Sequence, residues 1–338
     1  MKLRRFARPC GFSLPAGSWF CMGSSVGSSV GSSVGSSVGS SVGSSVRSSG
    51  RVPYPIACTY VQNQPLQPTK LRHIYLTLSV PMHSKIQFFV AQLPQLLPAD
   101  WSRAGEPTLA VVIDTLRFTS TACIALHAGA ASVSVAAEVE EARRFAGDMG
   151  RGTLLCGERH CHRIEGFQLG NSPLEYSPAV VAKRSLVFST TNGTRAVAAA
   201  EGAQQIVLAS LLNRAAIVDW IFASHHQRVW MVCAGTDGQI AAEDVLTAGA
   251  ILGGCHTRDA SSVLANDSAA IAFQLFESLC DAFGNVSEQA ITRLMTEAAG
   301  GQNLIQSGYG SDIAAVAQLD SVGIVPHNSP EHPTKFRN

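Results

Sequence analysis

The chain has 338 residues, of which 14% are charged, with a formal net charge of +1. So small an excess excludes the broad basic surface that nucleic acid or an anionic membrane requires, and it leaves a small molecule as the expected partner. The nine cysteines, odd in number, irregularly spaced and several of them in apolar runs, argue against a secreted disulfide scaffold and fit a reducing cytoplasm.

The first 82 residues read as a low-complexity leader. MKLRRFARPCGFSLPAGSWFCM opens on basic residues as a signal or transit peptide would, but Pro9, Gly11 and Pro15 interrupt its apolar centre, so that assignment has weak support. Residues 23–46 repeat GSSV six times, with too little apolar surface to offset the entropy of ordering. Disorder is expected there. A perfect tandem also fits a nucleotide repeat translated by accident, with the biological start downstream at Met82. No apolar run reaches the roughly 18–20 residues that cross a bilayer.

From Thr108 strands and helices alternate. LAVVID is a strand, LRFTST a polar turn, TACIALHAGA a helix, ASVSVAA a strand and EVEEARRFAGDMG a helix. TLLCGER and SLVFS continue the strands, TTNGTRAVAAAEGA gives a helix, QIVLA a strand and SLLNRAAIVDWIFASH a helix, followed by the strand RVWMVC and the helix AAEDVLTAGAILGGC. The segments from SSVLAND to about Leu319 read mostly as helices. SVGIVPHN reads as a short strand stopped by Pro326, and 329–338 as a polar tail. The pattern predicts a layered α/β/α domain over 83–328, as one unit or two subdomains, around a largely parallel or mixed sheet.

In open α/β sheets ligands bind beyond the carboxyl ends of the strands, so polar residues that directly follow an apolar run carry most weight. Five strand ends qualify: Asp114 with Arg117, Thr119 and Ser120; Gly157 with Glu158 and Arg159; Thr190 to Arg195; Ser210 with Asn213; and Gly235 with Thr236 and Asp237. Together they predict one functional rim. The stretch TTNGTR, a turn of hydroxyl and amide side chains entering a helix, suits an anion, because the first N–H groups of a helix lack intrahelical partners. An ordinary cap by Thr191 or Asn192, with Arg195 solvated, explains the same residues.

Neither G-x-x-x-x-G-K-[ST] nor G-x-G-x-x-G occurs, which removes the usual signatures of nucleotide enzymes. No cysteine has an arginine six residues on, as a cysteine phosphatase would require. VVIDTLRFTST superficially resembles an aspartyl-phosphate phosphatase, but the second aspartate of that pattern is Leu116 here. What remains is a set of carboxylates, Asp114, Glu158, Glu175, Glu243, Asp244 and Asp267, in turns or at helix starts, where hard oxygen ligands for Mg²⁺ are commonly presented. Helix capping alone suffices for Glu243 or Asp244 taken singly. Asp114 stands directly against an apolar run and requires a partner, for which Arg117 is available. CGERHCH lacks a second ligand pair at zinc spacing, and His225 and His226 receive no role.

VVIDTLRFTST, GER, IEGFQLGNSPLEY, TTNGTRAV, ASLLN, VCAGTDGQIAAEDVLTAGA, ND and GYGSDI occur in this order between Thr108 and about Pro326. In this combination the chain closely resembles the 2-phosphosulfolactate phosphatase family. The resemblance implies a Mg²⁺-dependent α/β phosphatase that converts 2-phosphosulfolactate to sulfolactate and phosphate on the route to coenzyme M. It implies Asp114, Glu158 and Arg117 as catalytic residues and Asp114, Glu243 and Asp244 as metal ligands. Arg159, Asn171, Thr191, Asn192, Gly193, Thr194 and Arg195 are implied substrate contacts. The chain departs from the family at His160 to Arg163, where HCHR replaces glycines, and that loop bears on the substrate pocket. A phosphate-ligand binding protein without turnover, and a metal-dependent hydrolase or lyase of another small organic acid, are the competing readings. A homo-oligomer is compatible with all three.

Overall fold

The computed structural model describes residues 85–338 apart from 103–105 and 283; the leader and Met82 lie outside the described residues. Its strands are β1 (Gln87–Ala91), β2 (Thr108–Ile113), β3 (Ser132–Val135), β4 (Leu154–Arg159), β5 (His162–Arg163), β6 (Ser185–Ser189), β7 (Gln205–Ala209), β8 (Arg228–Cys233), β9 (Val263–Leu264), β10 (His327–Ser329) and β11 (His332–Arg337). The helices are α1 (Phe118–His127), α2 (Val139–Met149), α3 (Pro178–Val181), α4 (Gly193–Ala199), α5 (Arg214–Ala223), α6 (Ala242–Arg258), α7 (Asp267–Glu277), α8 (Glu288–Glu297), α9 (Ala299–Gln306) and α10 (Ser311–Val316). This is an α/β fold with a large, mostly parallel sheet.

Among the described residues the sheet order is β5-β4-β6-β3-β11-β10-β7-β2-β8-β1-β9. The parallel block β4-β6-β3 and the parallel block β7-β2-β8-β1-β9 run in opposite senses, joined through the antiparallel hairpin β10–β11. The sheet is coiled, because groups at the ends of β2 and β6 meet although four strands separate them in the order.

All six residues of β2 are buried, as expected of a central parallel strand covered on both faces. Ala110 and Val112 face a core shared with Phe118 and Ala122 of α1 and Ala196 of α4. Leu109, Val111 and Ile113 face the opposite core, with Ile217 of α5, Ile251 of α6 and Ala272 of α7. A third cluster, with Leu246 of α6, Met295 of α8, Leu304 of α9 and Ile313 of α10, fixes the late helices to the rest.

Three expectations are corrected. SVGIV is not a strand: the ladder starts after Pro326, at β10, and Pro326, which has no N–H, contributes only its carbonyl, to the Leu208 N–H at 2.9 Å. The residues assigned to a polar tail form β11 between β3 and β10, where Phe336 is fully buried opposite Val133. The helix expected at Thr121 starts three residues earlier, at Phe118, inside the predicted turn. The strands β1 and β9, which extend the sheet beyond β8, had no counterpart in the sequence reading.

Candidate active site

The ends of β2, β4, β6 and β8 and one side of α9 enclose a cavity of about 270 Å³, lined among others by Asp114, Arg117, Glu158, Asn171, Thr191 and Asn303. A cavity of that volume admits several waters or a small organophosphate. The fifth predicted strand end is elsewhere in function. Ser210 and Asn213, fully buried after β7, cap one another: the Ser210 N–H donates to Asn213 Oδ1 at 2.9 Å, and Asn213 Nδ2 donates to Ile324 O at 3.0 Å.

Asp114 and Glu158 line the cavity, and Glu243 and Asp244, in the first turn of α6, lie behind it, Glu243 against Gly300 of the lining; the four divide by what their oxygens accept. Glu158 is engaged at both oxygens: Oε1 accepts the Thr191 N–H and Oε2 the Cys161 N–H, both at 2.9 Å. It clasps the β4–β5 turn to the β6–α4 turn. Asp244, in the first turn of α6, accepts the Thr115 N–H at 2.8 Å on Oδ1 and the Gly235 N–H at 3.0 Å on Oδ2, and so ties the end of β2 to the end of β8. Asp114 accepts one weak bond, from the Phe118 N–H at 3.3 Å on Oδ1. Glu243 Oε2 is buried without a hydrogen-bond partner among the described residues.

Two glycines make room for the open pair. A Cβ on Gly193 would stand 2.5 Å from Phe118 Cδ1 and 2.7 Å from Asp114 Oδ2, and one on Gly300 would stand 2.2 Å from Glu243 Oε1. Burial, then the charge of Asp244, pushes the Asp114 carboxyl well above the usual carboxylate range, with Glu158 and Glu243 adding to the push and the Phe118 N–H opposing it. Burial and then Asp244 raise Glu243 to about 8. Asp244 itself rises to about 6 through burial, with the N–H groups of Thr115 and Gly235 holding it down. Such a set of buried like charges favours either protons or a cation.

Arg117 does not pair with Asp114. Its Nη1 meets Asp312 Oδ2 at 2.8 Å, its Nη2 donates to Cys161 O at 2.9 Å, and its guanidinium lies 4.5 Å from the Tyr309 ring centroid. The Leu116–Arg117 peptide is cis. The other Asp312 oxygen accepts from Ser172 Oγ at 2.6 Å, which anchors the loop that presents Asn171. Asn171 Oδ1 and Thr191 Oγ1 are both buried without a partner among the described residues, and both residues line the cavity.

The remaining predicted substrate contacts separate. Asn192 lines the cavity beside Thr191. Thr194 is occupied locally: its Oγ1 accepts the Thr190 N–H at 3.1 Å and its own N–H donates to Thr190 Oγ1 at 3.3 Å. The α4 start is therefore capped by Thr190 with Thr194, and Thr191 and Asn192 make no side-chain cap bond there. Arg195 is exposed on α4, outside the cavity lining. Arg159 reaches Ser189 Oγ at 2.9 Å and Glu158 O at 2.8 Å, and is also outside the lining.

Sequence reasoning missed Asp312, Asn303, Gln306 and Ser307. Only Asp312 carried a signal, as part of GYGSDI. The α9 residues sit in an unremarkable helical segment and reach the cavity through the packing of the third core.

The family model for 2-phosphosulpholactate phosphatase matches residues 93–330. The chain is 35% identical over 246 residues to a "Probable 2-phosphosulfolactate phosphatase" of Synechococcus sp. (strain JA-2-3B'a(2-13)), covering 71% of this chain and 95% of that protein. It is 36% identical over 231 residues to a protein of the same description from Prochlorococcus marinus (strain MIT 9313), covering 68% and 92%. A shorter match, 49% identical over 142 residues, is to another so described from Caldanaerobacter subterraneus subsp. tengcongensis, covering 42% of this chain and 58% of that protein.

Proposed function

The chain belongs to the 2-phosphosulpholactate phosphatase family, and from that membership we propose that it hydrolyses the phosphate ester of 2-phosphosulfolactate, with Mg²⁺, to sulfolactate and phosphate. The observation that carries the reading is Asp114 at the cavity wall, taking only the Phe118 N–H on Oδ1, with Glu243 placed against Gly300 of the lining and its Oε2 buried without a partner among the described residues, while Glu158 and Asp244 accept a backbone N–H at both oxygens.

The donor set fits Mg²⁺. Among the described residues no group of three or more His, Cys, Asp or Glu side chains is placed to hold an ion, but Mg²⁺ needs only one or two carboxylates, with waters and substrate phosphate oxygens completing its shell. Asp114 and Glu243 would hold it, and its charge would offset the burial and the repulsion from Asp244 that raise both carboxyls. The ion supplies Lewis-acid polarisation of a phosphoryl oxygen. The chain's own groups do the remainder. Arg117, held by Asp312, offers its unused N–H donors at the cavity wall. The Thr191 hydroxyl, which the protein leaves unpaired, can donate to a phosphoryl oxygen, and Asn171 Oδ1, an unpaired acceptor, suits a water or the ion rather than the anionic ester. Glu158 and Asp244 fix the turns that carry these groups, so that they are in place before substrate arrives.

Phosphate release from 2-phosphosulfolactate by the purified chain, followed by ³¹P NMR, tests the proposal. A new inorganic phosphate resonance is expected. Ligand binding without that resonance would instead indicate a binding protein, and conversion of an organic acid without phosphate release a different hydrolase or lyase.

A further inference from the structure

The charges of the cavity do not match a substrate that carries an anionic group besides its phosphate. Among the described lining residues Asp114, Glu158 and Asp237 are acidic, and Arg117 and His160 are basic. Arg117 keeps unused N–H donors, but Asp312 offsets its charge at 2.8 Å and Cys161 O takes one bond from its Nη2. His160 is exposed, and it is the other lining side chain able to bring positive charge to a bound anion.

Its backbone is a second, independent observation. His160 at φ 51° and Cys161 at φ 66° are both left-handed, and they are the two central residues of the β4–β5 hairpin, in which Arg159 pairs with His162. Two left-handed residues in such a turn favour glycine or asparagine. A non-glycine pair persists only where its surroundings over-determine it, and such positions cluster at ligand sites. Here the Cys161 N–H is held by Glu158 Oε2 and the Cys161 carbonyl by Arg117 Nη2, both at 2.9 Å. The turn tip is thus tied through Cys161 to two residues of the cavity, and His160, beside Cys161, lines the same cavity.

We infer that His160 sets specificity at this site by receiving the second anionic group, a carboxylate or sulfonate, of a phosphate ester whose phosphate lies towards Asp114. The inference rests on the phosphatase reading above and extends it to the non-reacting end of the substrate.

A pair of esters isolates the effect: 2-phospholactate carries a carboxylate where isopropyl phosphate carries a methyl group. His160→Gly removes the imidazole and suits the left-handed backbone, so the turn is retained. With the full chain and Mg²⁺, the preference in kcat/KM for 2-phospholactate over isopropyl phosphate should fall about tenfold in His160→Gly, the order of one charge-assisted contact, mainly through KM. His160→Lys should restore most of it. An unchanged preference, an equal loss on both esters, or a His160→Lys preference as low as that of His160→Gly overturns the inference. So does a wild type that hydrolyses both esters without preferring the carboxylate. A wild type that hydrolyses neither ester yet releases phosphate from 2-phosphosulfolactate overturns the inference alone, and one that releases none from 2-phosphosulfolactate overturns the phosphatase reading and the inference with it.

Discussion

Arg117 and Asp312, 195 positions apart, form an ion pair at 2.8 Å in which both side chains are almost wholly buried. Removing one partner of such a pair leaves an uncompensated buried charge, which costs about 3–5 kcal/mol. Asp312→Ala should therefore lower the unfolding free energy by about that amount in a urea titration, and Asp312→Asn, which can still accept from Ser172, by less. A loss under about 1 kcal/mol in Asp312→Ala would mean that Arg117 is held by Cys161 and Tyr309 without its counter-charge.

Gly193 lies so close to Asp114 and Phe118 that a methyl group has no space. Gly193→Ala should cost about 1–3 kcal/mol by overpacking and displace the Asp114 carboxylate, lowering kcat at least about tenfold with the protein still folded. Wild-type kcat in a folded Gly193→Ala protein would separate Asp114 from the chemistry.

The buried acids make stability depend on pH in a stated direction. Glu243 is raised from 4.5 to about 8 and Asp244 from 3.8 to about 6, and Asp114 is raised as well. Between the unfolded and folded values the native state binds more protons than the unfolded one, so stability falls as pH rises through that window. In chelator the melting temperature should be lower at about pH 8 than at about pH 5, and added Mg²⁺ should raise it more at the higher pH. A Mg²⁺ stabilisation no larger at pH 8 than at pH 5 would contradict this.

The strand ends were legible because the signal is local: an apolar run such as LAVVI or SLVFS, then polar residues that its neighbours cannot explain. That placed Asp114, Glu158, Thr191 and Asn192 at the cavity. Which carboxylates are tied by backbone donors at both oxygens was not legible, since the donors to Asp244 come from Thr115 and Gly235 on two other strand ends. Nor was β11: HPTKFR carries one large apolar residue, Phe336, and a proline, and only its place between β3 and β10 makes it a strand. Arg117 drew attention through its nearness to Asp114 in sequence, but its actual partner is fixed by the packing of α10, which no local pattern announces.

Arg195 offers a contrast with the cavity residues. It is exposed on α4 and outside the lining, so Arg195→Ala should change kcat/KM by less than about twofold, as surface changes away from a site usually do. A several-fold rise in KM would show that the substrate extends over the α4 surface.

The most direct test compares wild type and Asp114→Asn in phosphate release from 2-phosphosulfolactate after chelator treatment and Mg²⁺ titration. Asparagine keeps the shape and removes the charge that would hold the ion. Wild type should be inactive in chelator and recover with Mg²⁺, and Asp114→Asn should remain about a hundredfold to a thousandfold below it in kcat at saturating Mg²⁺, the order of losing one preorganised electrostatic contact. Undiminished turnover of the wild type in chelator, or near-normal kcat in Asp114→Asn, would contradict the assignment of metal-assisted ester hydrolysis to the end of β2.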